Sequence, residues 1–211
     1  DGQPQPIAFF STYETPVSVV LLLDESASMR MGDLASGIAI QRTLDQWFPF
    51  SLKPADRARV GTIAKHLFLS DRFTSDRHEL VEAAFAARTR PAADKLGPSP
   101  IWDAVDASVT ALEAESGHRA IVLFTDGRST GNRVSLGSAG AHAMRAGASV
   151  HVIAEHAAPL AIVQADGTEA VVAPDTGLRW LADRTGGAYV SDRPFPWSDP
   201  GPIVAHLLDS L

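Results

Sequence analysis

Asp24, Ser26 and Ser28 alternate along D-E-S-A-S, directly after the apolar run Val17–Leu23, which only Ser18 interrupts. At that spacing one turn offers a carboxylate and two hydroxyls. Three oxygen donors carrying little charge suit a hard divalent cation such as Mg²⁺. The run before them is β-branched and leucine-rich and reads as a strand buried on both faces, as in a parallel sheet. Ligands of open α/β sheets bind in the crevice outside the carboxyl ends of such strands, and Asp24 stands at that end. By itself the triplet is a weak signal, because a lone Asp at a strand end more often caps a turn.

The elements that must position the triplet follow in a regular cadence. Leu34–Phe48 has helical spacing, with Asp33 as cap and Pro49 as stop. Ala58–Leu69 reads as two short strands. The stretch Asp71–Arg88 carries Thr74-Ser75-Asp76 ahead of a helical run, with Glu79 near a capping-box position. A proline-containing loop over Arg90–Gly97 leads into a helix over Ile101–Glu115. Ala120–Thr125 is a second buried strand, Arg133–Ala146 a small-residue helix, and Ser149–Ala154 a third buried strand. Leu160–Ala173 alternates around Asp166-Gly167, the usual hairpin signal. It reads as surface decoration or as a partner-selecting wall at the metal end of the sheet. A helix over Asp175–Arg184, stopped by Gly186-Gly187, and a closing helix over Pro200–Leu211 complete the chain. Strands alternating with helices in this way predict a doubly wound, mostly parallel α/β sheet with helices on both faces.

Length and composition narrow the function classes. The 211 residues fit one domain, and 45% apolar residues suffice for a core. Residues 1–16, with Pro4, Pro6 and Pro16, read as a lead-in and as the possible tail of an upstream module; residues 17–211 read as a single domain. A net charge of −7 with no basic patch argues against nucleic acid as partner. No apolar run approaches the roughly 18 residues of a membrane-spanning helix. Without cysteine there are no disulfides and no thiolate metal ligands. The chain starts at Asp1 and is read as a mature form or an excised domain.

Val20–Met29, V-L-L-L-D-E-S-A-S-M, resembles the first segment of the metal-ion-dependent adhesion site of von Willebrand factor A-type (VWA) domains. G-P-S-P-I-W-D-A-V (97–105) resembles the second loop of that site, with Ser99 where threonine is usual. A-I-V-L-F-T-D-G-R-S-T-G-N (120–132) resembles the third, which supplies Asp126. The three segments come in the family's order and span about half the chain. The resemblance implies the VWA fold, a Rossmann-like doubly wound sheet. It implies a divalent cation, Mg²⁺ first and Mn²⁺ or Ca²⁺ next, held by Asp24, Ser26, Ser28, Ser99 and Asp126. It also implies a protein partner whose Asp or Glu completes the metal's shell, with no bond made or broken. D-G-Q-P-Q-P-I followed by the metal-site strand resembles a VWFA-related subgroup of secreted acidobacterial proteins, which implies a bacterial, extracytoplasmic setting.

Neighbouring residues are assigned plainer roles. Ser99 keeps the ligand hydroxyl but has more rotamer freedom than threonine, and Gly97 with Pro98 lets its loop approach the ion. Asp103 holds the second loop. Glu25, Arg128 and Arg133 are read as solvated, the arginines also as able to steer an acidic partner. His142 and His151 lack zinc spacing and are read as structural. Trp102 is read as core. Two other functions compete. An aspartyl phosphatase also places an Asp after a buried strand beside Mg²⁺, but it generally needs a carboxylate where this chain has Ser26. A structural module with a vestigial site is the other. No G-x-S-x-G elbow, phosphate-binding loop or dinucleotide fingerprint is present.

Overall fold

Strand β1 (Val17–Asp24) has no exposed residue along its length. The computed structural model describes residues 15–26, 29, 51–89, 97–154, 160–163, 167–172 and 177–190. The helices expected over Leu34–Phe48 and Pro200–Leu211, residues 1–14 of the lead-in, and Ser28 lie outside the described residues.

On one side β1 pairs in parallel with β2 (Arg57–Ile63), and on the other with β4 (His118–Thr125). β5 (Ala148–Ala154) and β8 (Tyr189–Val190) extend the sheet beyond β4, also in parallel. Beyond β2 lies β3 (Phe68–Leu69), the antiparallel edge, so the order is β3-β2-β1-β4-β5-β8. The chain first moves from β1 outward to β2 and β3, then crosses back to the far side of β1 for β4. The sheet therefore reverses its winding between β1 and β4, and a crevice opens at their carboxyl ends. β6 (Leu160–Val163) and β7 (Glu169–Val172) form the expected antiparallel hairpin as a separate sheet. It follows the carboxyl end of β5, the end at which β1 leaves Asp24.

The alternation of β1 divides its side chains between two cores. Val17, Val19, Leu21 and Leu23 pack with Leu80 and Ala84 of α1 (Arg77–Arg88), together with Met29 and Leu52. Val20 and Leu22 face α2 (Ile101–Leu112), α3 (Leu136–Ala146) and α4 (Gly177–Thr185). Trp102 is buried in this second core, as read from the sequence. Leu21, Leu22 and Leu23 are 0% exposed, each worth up to about 1.5–3 kcal/mol of burial. Helix α1 corrects one sequence reading. Its cap is Asp76, which accepts from the His78 and Glu79 amides, but Glu79 does not close a capping box. Its carboxylate pairs with Arg72, while the Asp76 amide donates to Thr74 Oγ1. A cationic donor within reach outcompetes a neutral amide.

His142 on α3 bridges Asp106 of α2 and Glu113, the residue that caps α2's C-terminus, with Nδ1 2.7 Å from Asp106 Oδ1 and Nε2 3.1 Å from Glu113 Oε1. The Asp106 hydrogen bond first, and Glu113 after it, raise the histidine's pKa above its ordinary value. A group whose pKa is raised by folding stabilises the fold fully below its unfolded value and loses that contribution as pH rises through the folded value. Denaturant unfolding should therefore find wild type more stable than His142→Gln below the histidine's ordinary 6.5, with the gap narrowing as pH rises above it; a gap indifferent to pH would remove the charged clamp.

Candidate metal centre

Four of the five residues singled out by sequence meet at the carboxyl ends of β1 and β4; Ser28 lies outside the described residues. Asp24, Ser26, Ser99 and Asp126 are all 3% exposed or less. Asp24 ends β1, and its Oδ1 accepts from the Ser26 amide at 2.9 Å, a short Asx turn. The Ser26 hydroxyl also bonds the carboxylate. Oδ2 accepts from Ser99 Oγ at 3.1 Å and from Thr125 Oγ1 at 2.7 Å. Every one of these donors is neutral. Burial is the main cause that pushes the Asp24 carboxyl from its ordinary 3.8 to about 6, against the lowering by these hydrogen bonds, and the charge of nearby Asp126 adds to the rise. That rise sets about 3 kcal/mol against the ionised form.

Thr125 escaped the sequence reading, which took the T-D-G segment only for its aspartate. The β1–β4 register ends at Leu23↔Phe124, so the next pair sets Thr125 beside Asp24. A hydroxyl residue closing an otherwise apolar strand, next to an acidic one, was the available signal.

The second and third loops are built as one piece. The Ser99 amide donates to Thr130 Oγ1 at 3.0 Å, and the Thr130 amide donates back to the Ser99 carbonyl at 2.8 Å. Helix α2 begins at Pro100, which makes no side-chain cap; Asn132 of the third loop serves instead, accepting from the Trp102 amide at 2.8 Å. In return Asp103 of α2 accepts from the Arg133 and Val134 amides, at 2.9 and 2.8 Å. Asp103, read from the sequence as holding the second loop, instead holds the end of the third. Gly131 sits at φ +72°, and a Cβ there would lie 2.6 Å from Pro98 Cβ. The two loops close over that missing side chain. Gly97 departs from expectation: a Cβ at this position would meet Lys65 Cβ at 3.0 Å, so its bareness accommodates the β2–β3 connection.

Arg128 is the main correction. Read as solvated, it is 9% exposed and paired with Asp126, Nη1 to Oδ2 at 2.8 Å. Its backbone amide donates to Asp126 Oδ1 at 3.0 Å. A buried carboxylate draws in the nearest cation, because leaving it unpaired costs far more than ordering an arginine. Arg133 is exposed and Glu25 half-buried. His151 is structural: Nδ1 accepts from the Ala188 amide at 3.2 Å and Nε2 meets Ser149 Oγ at 3.0 Å, while burial lowers its pKa.

Among the described residues no three His, Asp or Glu side chains form a metal-binding group. A cation held here would rely on two carboxylates and on hydroxyls. Two buried, mutually repelling carboxylates with two hydroxyls in one dry crevice are a donor set that fits a hard divalent ion.

No protein-family model and no curated protein matches the chain. Solved structures do. An aerotolerance-related membrane protein from Bacteroides fragilis is similar at 19% identity over 92% of this chain and 100% of that one, with TM-score 0.66. A von Willebrand factor type A protein from Catenulispora acidiphila is similar at 14% identity, covering 92% of this chain and 42% of that chain, TM-score 0.69. Proximal thread matrix protein 1 from the mussel byssus, solved with a zinc-occupied metal-ion-dependent adhesion site, is similar at 13% identity over 92% of this chain and 45% of that one, TM-score 0.69. At these identities the likeness is one of fold: the chain has the VWA fold, a mostly parallel Rossmann-like α/β sheet.

Two outcomes test the geometry. Because folding raises the Asp24 pKa, the metal-free fold loses stability as pH climbs from 3.8 through about 6. In chelator above about pH 7, Asp24→Asn should therefore be at least as stable as wild type; a loss of more than about 2 kcal/mol in urea unfolding would make the carboxylate structural. Thr130→Val should cost about 1 kcal/mol in chelator and reduce any ion-dependent rise in melting temperature. An undiminished rise would detach Thr130 from Ser99's placement.

Proposed function

We propose that this domain is a metal-dependent protein-binding module whose partner offers an Asp or Glu carboxylate, and that it is not an enzyme. The observation carrying this reading is the meeting of Asp24, Ser26, Ser99 and Asp126 in one buried crevice at the sheet's switch point. Asp24, Ser26, Ser28, Ser99 and Asp126 would hold the ion, Mg²⁺ before Mn²⁺ or Ca²⁺. The zinc-occupied site of the mussel protein supports a divalent cation at this place in the fold.

When bound, the cation supplies a Lewis-acidic position that an outside carboxylate can fill. The chain's own residues fix how selective that position is. Two carboxylates, one of them paired with Arg128, meet a dication without surplus negative charge, and the serine hydroxyls donate lone pairs without charge. The linked second and third loops hold Ser99 in place before any partner arrives, so little ordering is left to the binding step. Acting as a phosphatase nucleophile suits Asp24 poorly: both its oxygens already accept hydrogen bonds, and the residue two positions on is Ser26.

An extracytoplasmic, bacterial setting is part of the proposal. It is supported by the likeness to a membrane protein of Bacteroides fragilis and by the segment resembling secreted acidobacterial proteins. No helix among the described residues is long and apolar enough to cross a membrane. The β6–β7 hairpin follows β5 in the chain and is proposed as a wall of the partner surface.

Thermal melts in chelator, then with Mg²⁺, Mn²⁺ and Ca²⁺ added singly, test the reading. An ion that binds only the folded chain adds about 2.7 kcal/mol at one hundred times its Kd. Wild type should gain and Asp24→Asn should not. No gain with any ion, or an equal gain in the variant, would sink the metal role.

A further inference from the structure

The two carboxylates of the centre are satisfied in opposite ways. Among the described residues Asp24 is met by neutral donors: Ser26, Ser99 and Thr125. Asp126 has both oxygens taken by one residue, Arg128, through its amide to Oδ1 and its Nη1 to Oδ2. Arg128 reaches Asp126 across a single intervening glycine, and the two side chains are 10% and 2% exposed. This is a short, fixed, charge-assisted contact from which water is largely excluded. A divalent ion brought to Asp126 meets a cation already seated on the same carboxylate.

We propose that Arg128 is a tethered counter-cation that competes with the divalent ion for Asp126, and so sets the ion affinity of the centre. The inference rests on the metal-binding reading above. Without the ion, Arg128 neutralises Asp126 and lets it stay buried and ionised. With the ion, Arg128 must leave Oδ2 or remain against a like charge, and either way the ion binds less tightly than to a bare carboxylate. Binding tightens where another group takes up the guanidinium, and the carboxylate of an acidic partner is such a group.

Calorimetric titration of Mg²⁺ and Mn²⁺ into chelator-stripped wild type, Arg128→Gln, Arg128→Lys and Asp24→Asn tests this. Removing a competing charged hydrogen bond should lower the Kd about tenfold in Arg128→Gln, while its melting temperature in chelator falls below that of wild type. Arg128→Lys keeps the charge but loses the planar fork, and its Kd should lie between the two. A merely structural Arg128 would give the reverse, with equal or weaker ion binding in both variants, and that result overturns the inference. Should Arg128→Gln not fold, Arg128→Lys decides alone: tighter binding than wild type supports competition, and equal or weaker binding overturns it. Binding by wild type that persists unchanged in Asp24→Asn, or binding by no variant at millimolar ion, would overturn the metal reading, and the competition with it.

Discussion

The Asp24 carboxylate is held out of water at the end of a strand that is itself wholly buried. This follows from the sheet: β1 has neighbours on both edges and helices on both faces, so whatever side chain ends it enters the interior. An ionised group there needs donors. They arrive from Ser26, Ser99 and Thr125, residues spread over a hundred positions of sequence and brought together by the crossover from β2 back to β4. All are neutral, so the charge is solvated but not cancelled, and the pKa stays raised. Burial of the apolar strand offsets that cost: Val19 to Leu23 are 0% exposed, and together their burial far exceeds the penalty on one carboxylate.

The loops around Asp24 are tied unequally. The first loop is tied to β2, where the Glu25 amide donates to the Ile63 carbonyl at 2.8 Å. The second and third are tied to each other through Ser99, Thr130, Trp102, Asn132 and Asp103. Ser99 has lost the methyl that would stiffen a threonine at χ1, but its backbone is fixed by two hydrogen bonds to Thr130. Rigidity that a β-branched side chain would supply locally is supplied here by the neighbouring loop. Rearrangement of Ser99 against Asp126 would break several hydrogen bonds at once, so these two loops act as one body toward any ligand.

The sequence made the fold's skeleton readable where burial alone decides structure. Val17–Leu23, Ala120–Thr125 and Ser149–Ala154 are mostly apolar runs, and each is a central strand. Their order, with the position of D-x-S-x-S, set Asp24 and Ser26 at the carboxyl end of a buried strand; Ser99 and Asp126 joined them through the resemblance of 97–105 and 120–132 to the VWA loops. What remained hidden depends on partners far along the chain or on burial no local pattern reveals. Arg128 follows Asp126-Gly127 in a turn, a context normally solvated; only the packing of the third loop against the second makes Asp126 an interior carboxylate that draws the arginine in. His142 was readable as helical, whereas its carboxylates lie 36 and 29 residues away on another helix and at its C-terminal cap. Gly97 was assigned to the ion because Lys65, whose approach it permits, sits in a distant connection.

The charge of the whole chain bears on the proposed partner. At −7 the protein's overall field opposes an acidic ligand. Beyond about 8 Å that field is screened at physiological salt, so the encounter is governed by what lies at the crevice. There, among the described residues, two carboxylates face one guanidinium, a net local charge of −1 that a dication would convert to +1. Only the ion reverses the local sign, and only then does a carboxylate find attraction in place of repulsion. Arg128 sharpens the contrast between the two states. Paired with Asp126 its charge is already taken up, and on the proposed competition its release would add to the positive locus. On the proposed function, selectivity for acidic partners would come from a charge the chain does not itself carry, with one arginine standing in its place until the ion arrives.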